Sequence, residues 1–160
     1  MTIDVRPAEP TDARAIAEVH VQAWREAYSH LLPAENLARL SIDQRELRWR
    51  ENLAAAEFTT FVASDGDDIV GFASSGASRD EDAPRDLELA AIYVLASHYG
   101  SGAGQRLLDI ALGGAPASLW VADDNPRARA FYARNGFAPD GTTKTGQLTG
   151  IEVLEARLVR

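Results

Sequence analysis

The sequence predicts an α/β chain of the mixed, α+β kind, in which one sheet holds antiparallel and parallel strands and helices cover it. Three observations carry this expectation. The chain has 160 residues, 46% hydrophobic and 25% charged, which suits a single domain over residues 1–160 with a core of its own. In "FTTFVASDGDDIVGFASSGA" two β-rich runs flank an Asp65-Gly66 turn signal, and such a hairpin makes antiparallel neighbours. Farther along, strand, helix and strand follow in the order that makes parallel neighbours. The expected order is β-αα-ββ-β-α-β-α-β-β, which excludes an all-parallel doubly wound sheet.

The elements follow in turn. "TIDVRPA" alternates and is expected as a strand over residues 2–7. In "EPTDARAIAEVHVQAWREAYSH" Thr11 is the candidate cap and Asp12 stands in the first turn. Ala13, Ile16, Val19, Ala23 and Ala27 mark an apolar face. "LPAENLARL" and "SIDQRELRWRENLAA" read as two further helical pieces, the second capped by Ser41. After the hairpin, "DLELAAIYVLAS" (residues 86–97) is the longest apolar strand, and it leads into "HYGSGAGQRLL". The helix begun there ends at Gly113 and Gly114. "ASLWVA" is a short buried strand. "DNPRARAFYARNGF" is a helix with both ends marked: Asn125 or Asp124 as cap, Pro126 at the first position, Gly136 in the left-handed position beyond the last turn. "GFAPDGTTKTG" and "IEVLEARLVR" close the chain as strands. The last alternates and suits pairing across a homodimer.

Composition narrows the functional classes. No run approaches the roughly 18 apolar residues of a membrane-spanning helix. "MTIDVRPAEP" lacks the basic-then-apolar order of a signal peptide, so a cytoplasmic protein without membrane attachment is expected. Cysteine is absent, which removes disulfides, thiolate metal sites and cysteine nucleophiles. No histidine pair has ligand spacing, so no metal is expected. The formal charge of −8 argues against a nucleic-acid partner and favours cationic small molecules. "RELRWR" reads as a solvated helix face. "RDEDAPRDLE" reads as a solvated loop, or as a lure for a cationic amine.

Gly100, Gly102 and Gly104 alternate just before a helix. Glycine costs a helix about 1 kcal/mol relative to alanine, so the pattern needs a reason. Bare amides at a helix N-terminus form an anion site; a tight connection alone would also use glycines. Gly104 is followed by Gln105 and Arg106, not the Lys-Ser/Thr of a P-loop. Neither register gives Gly-x-Gly-x-x-Gly, so a nucleotide-binding reading is poorly supported.

"LELAAIYVLASHYGSGAGQRLL" and "LWVADDNPRARAFYARNGF", with the element order over nearly the whole chain, resemble the GCN5-related N-acetyltransferase (GNAT) family. The family's acetyl-CoA motif, Gln/Arg-x-x-Gly-x-Gly/Ala, maps onto Tyr99, Gly100, Ser101, Gly102, Ala103 and Gly104. The central glycines match. Tyr99 stands where Gln or Arg is usual, and a proline common shortly before is Ala96. These departures touch one side-chain contact and leave the backbone cradle intact.

The resemblance implies about seven strands with a central splayed parallel pair, flanked by about four helices, and acetyl-CoA as cofactor. Backbone groups of Ile92, Tyr93 and Val94 would pair with its pantetheine arm, as an added strand pairs with a sheet edge. Amides of residues 100–105, Gln105 included, would hold the pyrophosphate. Asn125 would contact the cofactor, with Ala128 and Phe131 packing nearby. Tyr132 matches the family's general acid, a phenol still protonated at neutral pH. The amide of Tyr93 or Val94 would hold the developing oxyanion. Trp24 and Tyr28 would wall the acceptor site, or simply pack.

The family fixes no base, and the residues themselves suggest Glu88. It lies in an apolar strand, and strict alternation puts it on one face with Ala90, Ile92 and Val94; a solvent-exposed strand-start glutamate is the other reading. His20, His30 and His98 are weaker candidates. The expected activity is direct acetyl transfer to a primary amine, small-molecule or peptide, in a ternary complex. The alternative is a non-catalytic acetyl-CoA-binding or regulatory domain of the same fold.

Overall fold

Local chemistry sets the antiparallel half of the sheet. In the computed structural model, which describes residues 2–160, strand β1 (Ile3–Pro7) pairs antiparallel with β2 (Phe58–Asp65), and β2 with β3 (Asp68–Ala77). Asp65 faces Asp68, so the hairpin turns on Gly66 and Asp67, and Gly66 has the positive φ of 62° that such a turn requires.

Between β1 and β2 lie α1 (Ala13–Tyr28), the five-residue α2 (Ala34–Ala38) and α3 (Ile42–Ala55). Counting α2 makes five α-helices where about four were expected. The Thr11 cap does not form. A 3-10 turn, Pro10–Asp12, precedes α1 and absorbs Thr11, while Asp12 accepts from the Glu9 N–H (2.7 Å) and from Arg6 (2.8 Å). The Arg6 hydrogen bond holds the Asp12 carboxyl below its ordinary range. Ser41 does cap α3, accepting from the Gln44 N–H at 3.2 Å.

The parallel half begins with β4 (Leu87–Val94), which runs through the glycine loop into α4 (Ala103–Leu112) and then β5 (Ser118–Ala122). Helix α5 (Pro126–Arg134) follows, with Asn125 as its cap, and β6 (Ala138–Leu148) and β7 (Ile151–Val159) finish the sheet. The strand order is β1-β2-β3-β4-β5-β7-β6. β7 therefore lies between β5 and β6. It is not an edge and cannot pair across a dimer as its alternation suggested; the edges are β1 and β6.

Apolar side chains cover both faces. Leu107, Leu108 and Leu112 of α4 pack with Leu89, Leu119 and Leu158 on one face. Ile16 and Val19 of α1 pack with Trp49, Val62 and Phe72 on the other. Among the described residues, no helix is long and apolar enough to cross a membrane.

One irregularity positions the site. Opposite Ser74 stands Ala91, but opposite Ser75 stands Leu89, so Ala90 is an extra residue in β4. The bulge resets the alternation. Leu89 joins Ile92 and Val94 under α4, while Ala91 and Tyr93 turn toward α1. Glu88 therefore does not share a face with Ile92 and Val94, contrary to strict alternation. At the same point the sheet parts. β4 and β5 pair only at Glu88–Ser118 and Leu89–Leu119.

Candidate active site

Beyond Leu89 the β5-facing edge of β4 has no strand partner. An open cleft of about 1190 Å³ occupies the gap. It runs from the glycine loop, past the parted strands, to the β6–β7 hairpin.

The loop forms one end. Gly100 and Gly102 have φ of 78° and 88°, and a side chain at either would meet nothing within 4 Å. Conformation, not space, requires glycine there. Gly104 differs: its φ is ordinary and a Cβ would make plain contact with the Phe131 ring at 3.6 Å. The first hydrogen bond inside α4 runs from Arg106 N–H to the Gly102 carbonyl (3.0 Å), so the amides of Gly104 and Gln105 lie ahead of it. Ser101 Oγ accepts from the Ala103 N–H (3.2 Å), and Ala103 is buried in the core. These two expected residues do not line the cleft. Tyr99, Gly100, Gly102, Gly104 and Gln105 do.

α5 forms the facing wall. Asn125 Oδ1 accepts from the Ala128 N–H (3.3 Å), and with Pro126 it starts the helix where Ala128, Phe131 and Tyr132 all reach the cleft. Gly136, at φ 86°, ends it. Arg127 was not singled out in the sequence. Its guanidinium lies 3.6 Å from the centroid of the Tyr99 ring and lines the cleft. Its position beside the helix start was the available signal.

Three tyrosines gather at the centre. Tyr132 is 8% exposed and packs edge-on against Phe131 and Phe137. Burial, reinforced by Tyr28, raises its hydroxyl pKa, so it keeps its proton at neutral pH. Tyr28 and Tyr93 hydroxyls are 3.4 Å apart, and burial raises both pKa values. Tyr28 therefore belongs to core and cleft wall together. Trp24 lies edge-on to Tyr28 and also lines the cleft. Ile92, Tyr93 and Val94 of the unpaired strand edge face the same space.

Glu88 is 1% exposed, so it is not the solvent-exposed strand-start glutamate. Arg79 occupies both its oxygens: Nη2 donates at 2.5 Å and Nε at 3.2 Å to Oε2, and the Arg79 backbone N–H donates at 3.0 Å to Oε1. The acidic loop is pinned to the sheet in the same way. Buried Arg157 binds Asp82 (3.0 Å) and Asp140 (2.7 Å) and reaches Asp80 (3.4 Å). Asp80 also accepts from Trp120 Nε1 at 3.1 Å. Arginines thus hold Asp80 and Asp82 of this segment.

Each histidine has a polar partner, and His30 and His98 line the cleft. His20 sits among Trp24, Trp49, Phe72 and Tyr93, accepts from Trp49 Nε1 (3.2 Å), and burial lowers its pKa to about 3. His98 bonds Asp65 (3.0 Å), tying the glycine loop to the hairpin. His30 meets the Asp124 carbonyl at 2.8 Å.

Comparison with known proteins agrees with this geometry. The profile of the acetyltransferase (GNAT) family matches residues 16–137. An uncharacterized N-acetyltransferase of Bacillus subtilis, YuaI, is 30% identical over 98% of this chain and 91% of its own. A probable N-acetyltransferase of Mycobacterium tuberculosis is 29% identical over 94% of this chain and 89% of its own. Among solved structures, a GCN5-related N-acetyltransferase from Rhodopseudomonas palustris superposes with a TM-score of 0.76 at 23% identity, covering 100% of this chain and 96% of that one. An acetyltransferase from Salmonella typhimurium, solved with acetyl-CoA, gives 0.69 at 20% identity over 100% of this chain and 94% of its own. With its parted β4 and β5, its glycine loop and its match over residues 16–137, the chain belongs to the GNAT acetyltransferase family.

Proposed function

We propose that the protein transfers an acetyl group from acetyl-CoA directly to a primary amine of a small molecule or peptide, in a ternary complex. The observation that carries this reading is the parting of β4 from β5 beside Tyr132, with free loop amides at one end of the cleft. The residues fit the cofactor. The unpaired edge at Ile92, Tyr93 and Val94 offers backbone groups to an extended amide-bearing arm. The amides of Gly104 and Gln105 and the α4 dipole suit a pyrophosphate. When bound, acetyl-CoA supplies the acetyl group as a reactive thioester.

The chain's own groups do the rest. Tyr132 holds a proton on its hydroxyl for the departing thiolate. The Tyr93 or Val94 amide stabilises the oxyanion. Glu88 accepts the proton of the amine; its partner Arg79 is 60% exposed and can turn to solvent to release it. One domain over residues 1–160, working in the cytoplasm, accounts for these parts.

Tyr132→Phe tests the reading. It is expected to lower kcat by about 100-fold or more while the Kd for acetyl-CoA stays within a few-fold. Unchanged kcat would exclude Tyr132 as the acid. The capture of Glu88 by Arg79 favours one other reading, a domain that binds acetyl-CoA without transferring it. That reading requires binding with no thiol release from any amine.

A further inference from the structure

The acceptor end of the cleft holds two charges that ought to neutralise each other and do not. Lys144 of β6 and Glu155 of β7 are directly opposed residues of an antiparallel pair. Such neighbours ordinarily form a cross-strand ion pair. Here they diverge. Lys144, the chain's single lysine, lays its ammonium 4.0 Å from the centroid of the Trp120 ring. Glu155 leans the other way, over Gly146, where any side chain would collide with its carboxylate. Among the described residues, neither charge has an ion-pair or hydrogen-bond partner, and both line the cleft.

The neighbouring charges sharpen the contrast. Glu88, Asp80, Asp82 and Asp140 are all held by arginines. Among the described residues Lys144 and Glu155 have no such partner, while Asp124, which also lines the cleft, faces His30 at 3.8 Å. Glu155 lies near enough to Tyr28 to act on its hydroxyl, and Tyr28 bonds Tyr93 beside the parted strands. Lys144 lies on Trp120. A ligand spanning them presents a positive group to Glu155 and a negative group to Lys144.

We propose that the acceptor is a free amino acid or close analogue, its ammonium held by Glu155 and its carboxylate by Lys144. The proposal rests on the acetyl-transfer reading and specifies its substrate. Glu155 acts as a positioning residue: it brings the ammonium into the cleft, where the amine loses its proton and meets the acetyl group. Lys144 selects for the carboxylate. A monoamine satisfies only Glu155 and leaves the Lys144 charge uncompensated.

The test measures thiol release from acetyl-CoA with matched pairs: phenylalanine and phenethylamine, tryptophan and tryptamine, histidine and histamine, lysine and cadaverine. At least one amino acid is expected to exceed its decarboxylated partner in kcat/KM by about tenfold or more, the worth of one charge-assisted contact. Lys144→Gln should shrink that ratio toward one, raising KM for the amino acid more than for the amine, and Lys144→Arg should restore part of it. Glu155→Gln should raise KM for both members of a pair. A lysine that served only to stabilise the hairpin would not move the ratio. Amines turned over as well as or better than their amino acids would overturn the inference and leave acetyl transfer standing. Acetyl-CoA binding with no thiol release from any member would overturn the inference, and the acetyl-transfer reading falls with it only if a broader panel of amines, peptides included, also releases none.

Discussion

At the residue scale, the most informative contact is the stack of Arg127 on Tyr99. The ring is 39% exposed and the guanidinium lies 3.6 Å above it, at the lip of the glycine loop. Among the described residues Arg127 has no carboxylate partner. Its charge is held by a flat aromatic face beside the free loop amides, which puts a fixed cation next to the amides proposed to hold the pyrophosphate. Tyr99, which departs from the family motif, thus serves to hold an arginine that comes from another helix. Arg127→Ala should weaken acetyl-CoA binding by about 1–2 kcal/mol, or roughly 5- to 30-fold in Kd. Arg127→Lys should recover less than half of that loss, because an ammonium cannot stack its plane on the ring. Titration calorimetry with acetyl-CoA reads both. Equal affinity in all three proteins would remove Arg127 from the site.

At the element scale, the parts readable in the sequence are those fixed by local chemistry. Ser41, Asn125, Pro126, Gly66 and Gly136 mark their helix ends and turn as their backbone preferences dictate. The glycine loop and Tyr132 were readable for the same reason, since each rests on a contiguous motif. What escaped is tertiary. An extra residue at Ala90 reverses the faces of β4, and no pattern in "LELAAIYV" announces it. β7 inserts beside β5, although its alternation is the same at an edge or in the middle. Arg79 captures Glu88 from a loop nine positions upstream. One helix end also departs from its local preference. α3 ends on Ala56, a non-glycine residue at φ 52°. The left-handed conformation costs an alanine roughly 1–2 kcal/mol, and glycine gives part of that back through unfolded-chain entropy. Ala56→Gly should therefore raise stability by about 0.5–1 kcal/mol, measured as an increased midpoint in urea with an unchanged slope.

At the scale of the whole molecule, the buried aromatic layer between α1, α3 and the sheet makes stability depend on pH through His20. The imidazole is enclosed by Trp24, Trp49, Phe72 and Tyr93, and its Nδ1 must stay unprotonated to accept from Trp49 Nε1. Burial, with a smaller contribution from Arg45, lowers its pKa from 6.5 to about 3. Between those values the unfolded chain binds a proton that the folded chain refuses. Stability from this group is therefore complete above pH 6.5 and is lost steadily as pH falls toward 3. At pH 4 the loss is on the order of 3 kcal/mol, a large share of the roughly 5–15 kcal/mol that holds a domain together. Carboxylates such as Asp12, held below their ordinary range by an arginine, add to the loss only at lower pH. The thermal midpoint should thus fall between pH 6.5 and 4.5, before those carboxylates titrate. In His20→Gln, whose amide accepts from Trp49 without titrating, the absolute midpoint will differ but the fall over this interval should be less than half as steep. A slope equal to that of the unaltered protein would mean that His20 is protonated in the folded state, and that the layer carrying α1 and the Tyr28–Tyr93 pair opens to water far more readily than its packing implies.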